Sequence, residues 1–187
     1  MVIRIPSNEP VIFKRLLDAG VRSFMVPMVQ TANEARQAVC ATRYFPKGIR
    51  GMAGNQRASN FGRNSAYLET YEQEQCLIAQ IESPQAIEAI EDIAAVEGID
   101  ALFIGPNDLA TNMGMLGKTA DAGVKSAIAS AIRRINATGK ASGVLNFVPS
   151  EARQLLRDGV SFVAVGADSS LLARRTETLL SEIKTDL

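Results

Sequence analysis

Six short runs of the chain, 2–6, 23–29, 76–82, 101–104, 141–145 and 162–165, are mostly apolar at consecutive positions and rich in β-branched residues. Strands that are apolar on both faces belong in a parallel sheet covered by helices. Between these runs, 9–19, 32–42, 84–96, 122–137, 150–158 and 169–185 repeat apolar residues at spacings of three and four, the period of a helix with one buried face. The punctuation agrees. Thr31 and Glu34 have the form of a capping box, Ser83 precedes a proline at a first helical position, and Gly20, Gly98, Gly139 and Gly159 follow helix ends. Segment 45–74 does not fit a short connection. Its Gly48, Gly51, Gly54 and Gly62 alternate with Arg50, Arg57 and Arg63, which predicts an elaborated loop above a strand end.

The pattern predicts an α/β fold with six βα units in one domain spanning 1–187. Six is an awkward number, because a (β/α)8 barrel usually takes roughly 250 residues. A doubly wound open sheet tolerates six strands, but its first strand should lead into a Gly-rich phosphate loop. Here the first strand leads into Ser7-Asn8-Glu9-Pro10.

Charge and composition narrow the function. Lys and Arg number 20, Asp and Glu also 20, so no global field favours nucleic acid or an anionic membrane surface. No apolar run approaches the roughly 18 to 20 residues of a membrane span, and the first residues lack the layout of an export signal, which predicts a cytoplasmic chain. Cys40 and Cys76 lack metal-ligand spacing and are predicted to be free thiols. The chain contains no histidine. Catalysis must therefore run through carboxylates, arginine or groups outside this sequence.

In α/β folds the site gathers at the carboxyl ends of the strands. The polar residues there are Gln80 and Glu82, Asn107 and Asp108, Ser142 and Asn146, and Asp168, with Arg4 inside the first strand. Glu82 and Asp108 leave consecutive strands, and two hard carboxylates can hold a divalent cation while leaving positions for water and substrate. The competing reading is that each merely caps the following helix. A guanidinium at Arg4, if it points into a barrel, requires a carboxylate or an anionic ligand; on an edge strand it would simply face solvent. Gln80 shares a strand face with Glu82, where its amide serves either a substrate oxygen or the core.

Several segments together resemble a known family: VIRIPSNEPVIFKRLLDAGV, MVPMVQTANEA, RYFPKGIRG, AQIESPQAIEAIEDIAAVEGIDALFIGPNDLA and FVAVGAD. They are similar to the metal-dependent hydroxy-ketoacid aldolases, the group of the 2-dehydro-3-deoxyglucarate and 2-keto-3-deoxyrhamnonate enzymes. The resemblance covers nearly the whole chain, and QIES with IGPNDLA at this spacing is its most specific part. It implies a class II pyruvate aldolase on a (β/α)8 barrel, hexameric in the family, cleaving a 2-keto-3-deoxy sugar acid to pyruvate and an aldehyde. By the same resemblance Glu82 and Asp108 match ligands of Mg2+, or of Mn2+ or Co2+. Gln80, Asn107 and Asp108 match substrate-binding positions, and Arg4 matches a transition-state-stabilising arginine. Asp18 matches an aspartate that raises the basicity of a catalytic histidine. Gly48 and Gly51 around Arg50 match a GIRG loop.

The family carries about two further βα units before the point matching Met1, with the histidine base among them. The chain thus reads as an N-terminally truncated member, with a weakened aldolase activity expected of it. The alternative is a catalytically silent module that keeps cation and pyruvate binding or only subunit contacts. Asp18, at a helix end, lies on the barrel face opposite the site in either case, so a family-type dyad would use a neighbouring subunit.

Overall fold

Each apolar run forms a strand, and the strands pair in chain order. In the computed structural model, which describes residues 1–185, the order is β1 (Val2–Arg4), α1 (Pro10–Asp18), β2 (Ser23–Val26), α2 (Ala32–Thr42), a 3-10 turn (Arg57–Ser59) and α3 (Tyr67–Thr70). Then follow β3 (Cys76–Ile81), α4 (Pro84–Glu88), α5 (Ile90–Ala94), β4 (Ala101–Ile104), α6 (Pro106–Asn112) and α7 (Ala122–Ala137). The chain ends with β5 (Ala141–Leu145), α8 (Pro149–Arg157), β6 (Phe162–Ala164) and α9 (Asp168–Thr185). All neighbouring pairs are parallel, from β1 at one edge to β6 at the other. The result is a curled half-barrel of the (β/α)8 type.

The pleat sorts side chains between two environments. Phe24, Val26, Leu77, Ala79, Ile81, Leu102, Ile104 and Val144 point to the helices and join Phe13, Leu17, Ala35, Ile90, Ile93 and Ile135 in the main core. Ile78, Ala101 and Phe103 point the other way and form a second cluster with Met25, Leu145 and Phe162. There the Phe103 and Phe162 rings stack with centroids 5.7 Å apart. Gly143 lies between their strands, and a Cβ on it would stand 2.3 Å from one ring and 2.7 Å from the other. Glycine is what lets the rings meet.

The capping signals hold. Thr31 and Glu34 exchange both bonds of a capping box, and the Ser83 hydroxyl accepts the N–H of Ala86. Two expectations change. Segment 84–96 is not one helix but two, divided at Ala89, whose φ of −92° and ψ of 11° leave the helical region. Ala86, Ile90 and Ile93, spaced as one helix face, reach the core at 0% exposure on both sides of the break. Segment 45–74 is an αβ connection at the amino ends of the strands, away from the strand ends where Glu82 lies. Its residues pack on the end of α1, with Arg50 on Asp18 and Ala58 beside Gly20, and its exit is tied to the end of α2 by Gln75 on Arg43. Periodicity marks such a segment as irregular without saying which edge of the sheet it covers. Among the described residues no helix is long and apolar enough to cross a membrane.

Candidate active site

Consecutive strands deliver the candidate side chains to one place. Arg4 on β1 reaches across β2 and donates from Nε to Oε1 of Gln80 on β3, at 2.8 Å. The Gln80 amide then donates from Nε2 to Oε1 of Glu82, at 2.9 Å. The other Glu82 oxygen accepts the main-chain N–H of Met28 at 3.0 Å, and the Glu82 carbonyl accepts from the Asn112 amide at 2.8 Å. Gln80 and Glu82 are buried, at 5% and 1% exposure. Arg4 is exposed on its edge strand, yet its guanidinium is turned along the sheet to Gln80 rather than into solvent alone.

Asp108 enters from the first turn of α6. It is not the N-cap, which is Gly105, a residue with no side chain to cap with. Asp108 is close enough to Glu82 for its charge and a side-chain hydrogen bond to act on the Glu82 carboxyl. Burial pushes the Glu82 carboxyl above the ordinary carboxylate range, the Met28 N–H and Arg4 pull it back, and the neighbouring negative charge of Asp108 adds to the rise. Gly105 makes this packing possible, because a Cβ there would stand 2.6 Å from Oε1 of Glu82. Two close carboxylates, one buried, form a place where a cation relieves repulsion.

The remaining candidates lie elsewhere. Asn107 is exposed and borders a cleft of about 520 Å³ between α7 and α8, walled by Ile128, Ile132, Val144 and Leu155. Ser142 faces the helices and donates to Asn136, while Asn146 accepts the N–H of Val148 at the start of α8, so both polar groups serve the fold. Asp168 begins α9 and accepts the N–H of Ser169.

Asp18 sits at the opposite end of the strands from Glu82, at the end of α1, between Lys14 and Arg50. The Arg50 side chain is fully buried and donates to Asp18 and to the Tyr67 hydroxyl, each at 2.9 Å. Its guanidinium lies 4.5 Å from the centroid of the Tyr44 ring and 5.9 Å from those of Tyr67 and Tyr71. Burial works against this charge, but the bonds to Asp18 and Tyr67 outweigh it and raise the Arg50 pKa further. Burial likewise pushes the Tyr44 phenol up to about 12, which keeps a neutral ring against the cation.

Two participants carry no side-chain signal. Met28 acts through its backbone, and Gly105 acts by what it lacks. The readable trace of the first is Pro27, since proline marks the first central position of a turn, in type II turns ahead of a residue with positive φ. The trace of the second is the Gly-Pro step that ends β4 and starts α6.

Comparison with known proteins places the fold in a family. The model of the HpcH/HpaI aldolase/citrate lyase family matches residues 1–174. A 5-keto-4-deoxy-D-glucarate aldolase of Escherichia coli O6:H1 is 44% identical over 183 residues, covering 98% of this chain and 72% of the relative. A crystal structure of an HpcH/HpaI aldolase/citrate lyase family protein from Burkholderia cenocepacia J2315 superposes with a TM-score of 0.93 at 38% identity, over 98% of this chain and 73% of the other. An HpcH/HpaI aldolase from Desulfitobacterium hafniense DCB-2 superposes at 0.87 with 28% identity, over 98% and 71%. With six parallel strands, a buried glutamate just past β3 and an aspartate in the first turn of α6, this chain belongs to the HpcH/HpaI aldolase/citrate lyase family.

Proposed function

We propose that this chain is a metal-dependent aldolase of the pyruvate class, cleaving a 2-keto-3-deoxy sugar acid to pyruvate and an aldehyde. The observation that carries the reading is the hydrogen-bonded series Arg4–Gln80–Glu82 ending beside Asp108. Among the described residues no group of three or more His, Cys, Asp or Glu side chains is placed to hold a metal unaided. Two carboxylates, with water and a keto acid completing the shell, are a donor set that suits Mg2+, and Mn2+ or Co2+ equally. A cation held there supplies Lewis-acid polarisation of the keto acid oxygens. Arg4 shares the negative charge that develops on the keto oxygen as the carbon–carbon bond breaks, and Gln80 fixes Arg4 in that position. Asn107 borders the cleft between α7 and α8, but its main chain, one residue before Asp108 in the first turn of α6, is placed to contact the substrate. Asp18, remote from Glu82 in this chain, is held by Lys14 and Arg50, and the dyad that the resemblance implies for it needs a histidine that a second copy of this sequence does not carry.

The sequence holds no histidine to move the proton. A positioned general base is worth about 10²–10⁴ in rate. Pyruvate release from 5-keto-4-deoxy-D-glucarate is therefore expected to require Mg2+, to stop on chelation, and to run slower by that factor than in the Escherichia coli relative. The absence of histidine also favours a second reading, a silent module that binds cation and pyruvate. Calorimetric binding of oxalate with Mg2+, without any pyruvate release, would select it. Neither binding nor release would overturn both.

Self-association belongs to the same proposal. Leu171, Leu172, Leu179, Leu180 and Ile183 on α9 are each 47% exposed or more, and the net charge of zero leaves copies without mutual repulsion. A second copy of this chain is the partner that covers them. Sedimentation velocity is expected to show an oligomer, and a Leu172→Glu/Leu179→Glu double variant to sediment as a smaller species; a monomeric parent would refute this part.

A further inference from the structure

Among the described residues Met28 is one of three non-glycine residues with positive φ, at 52°, and it is the one placed at a strand end beside the candidate site. It follows Pro27 in the turn that leaves β2. A left-handed backbone costs energy at any residue with a Cβ, and such strain persists where the surroundings over-determine it, above all at functional sites. Burial of the side chain does not account for it, since Met28 is 41% exposed. The conformation aims the Met28 N–H at Oε2 of Glu82, while the next residue, Val29, is buried at 1% exposure and donates its N–H to the Gln80 carbonyl at 3.2 Å.

We propose that the main-chain N–H of Met28 is a positioning group that orients the Glu82 carboxylate toward the cation, an inference that rests on reading Glu82 as a cation ligand. The two Glu82 oxygens are held from different directions, Oε1 by the Gln80 amide and Oε2 by Met28. Each oxygen keeps one lone pair unused by these bonds. With rotation about the last side-chain bond blocked, those lone pairs stay on the side of Asp108. A Cβ at position 105 would stand 2.6 Å from Oε1, so the glycine there leaves this oxygen its place. The carboxylate is thus set by a backbone donor, which no side-chain substitution removes, and the turn accepts a strained residue to deliver it.

Replacing the amide of Met28 by an ester, through incorporation of the corresponding α-hydroxy acid into the full chain, deletes this N–H and keeps the side chain. The same replacement at Val29 deletes the neighbouring bond, which does not touch the carboxylate, and controls for a purely structural loss. Mn2+ affinity is read by electron paramagnetic resonance of the free ion, and folding by thermal unfolding. Both esters are expected to lower the melting temperature, but only the Met28 ester should weaken Mn2+ binding, by roughly the 10- to 100-fold typical of groups that orient a ligand. Met28→Val places a β-branched residue where left-handed backbone is least tolerated, tilts the N–H, and should weaken Mn2+ in the same direction. Parent-like Mn2+ binding in either Met28 variant, or equal weakening in the Val29 ester, overturns the proposal. A parent chain that binds no Mn2+ overturns the reading of Glu82 itself, a distinct result.

Discussion

Glu82→Gln is expected to weaken Mn2+ binding by more than about 100-fold, beyond what loss of an orienting group costs, and to take any cation-dependent pyruvate release with it. The change is small in volume but not in hydrogen bonding. Both Glu82 oxygens accept, one from Gln80 and one from Met28. A glutamine amide offers a single acceptor, so its NH2 group must confront one of those donors. The variant thus loses the charge that attracts the cation and sets two N–H groups against each other at a site of 1% exposure. Asp108→Asn tests the charge separately. Asp108 is exposed and has no such pair of bonds, so its effect should fall on cation affinity while the fold is kept. Calorimetry with Mn2+ on both variants, beside their circular dichroism, reads the difference. Parent-like affinity in Glu82→Gln would remove Glu82 from the cation site.

Arg50→Ala is expected to destabilise the chain by roughly 3 kcal/mol, the lower end of what breaking a buried ion pair costs. At roughly 2–4 °C per kcal/mol for a chain of this size, the melting temperature should fall by about 6–12 °C. The lower end applies because Asp18 is partly exposed and keeps Lys14 after Arg50 is gone. What the alanine removes is chiefly the stacked body of the side chain among Tyr44, Tyr67 and Tyr71. Two guanidinium nitrogens, Nε and Nη1, have no hydrogen-bond partner in the buried cluster, which is a further sign that packing holds it there. Arg50→Met keeps most of that packing and should cost markedly less. Arg50→Lys keeps the charge but cannot stack a plane or fork between Asp18 and Tyr67, and should fall between the two. If methionine proved as damaging as alanine, the ion pair with Asp18 rather than the packing would be the main contribution.

Much of this was legible in the order of apolar and polar residues. Strands that are buried on both faces announce themselves as continuous apolar runs, and 101–104 and 141–145 match β4 and β5 at both ends. Helix starts with a local chemical signature, such as Thr31 with Glu34, fall where the sequence places them. Gln80 and Glu82 are two residues apart on a strand, so their common face follows from the pleat alone. The misreadings share a cause. Ala89 interrupts a helix, and alanine, a strong helix former, carries no local sign of it. Ser142 and Asn146 are polar at a strand end like Glu82, but one points to the helices and the other holds the turn ahead of α8 through the N–H of Val148, a distinction that depends on register and on the next turn. Segment 45–74 advertises its irregularity through glycine and arginine; that it wraps the end of α1 is decided by Asp18, 32 residues before Arg50.

The group around Glu82 draws on four successive strands: Arg4 from β1, Met28 from just beyond β2, Gln80 on β3 and Gly105 at the end of β4. A slip of one residue between any two of them would carry side chains to the wrong side of the sheet and would separate at least one donor from its acceptor. The carboxylate therefore works as a caliper for the alignment of the half-barrel. A misassembled sheet would fail to grip a cation even while burying nearly as much apolar surface, so the same atoms that prepare the chemistry also certify the folding.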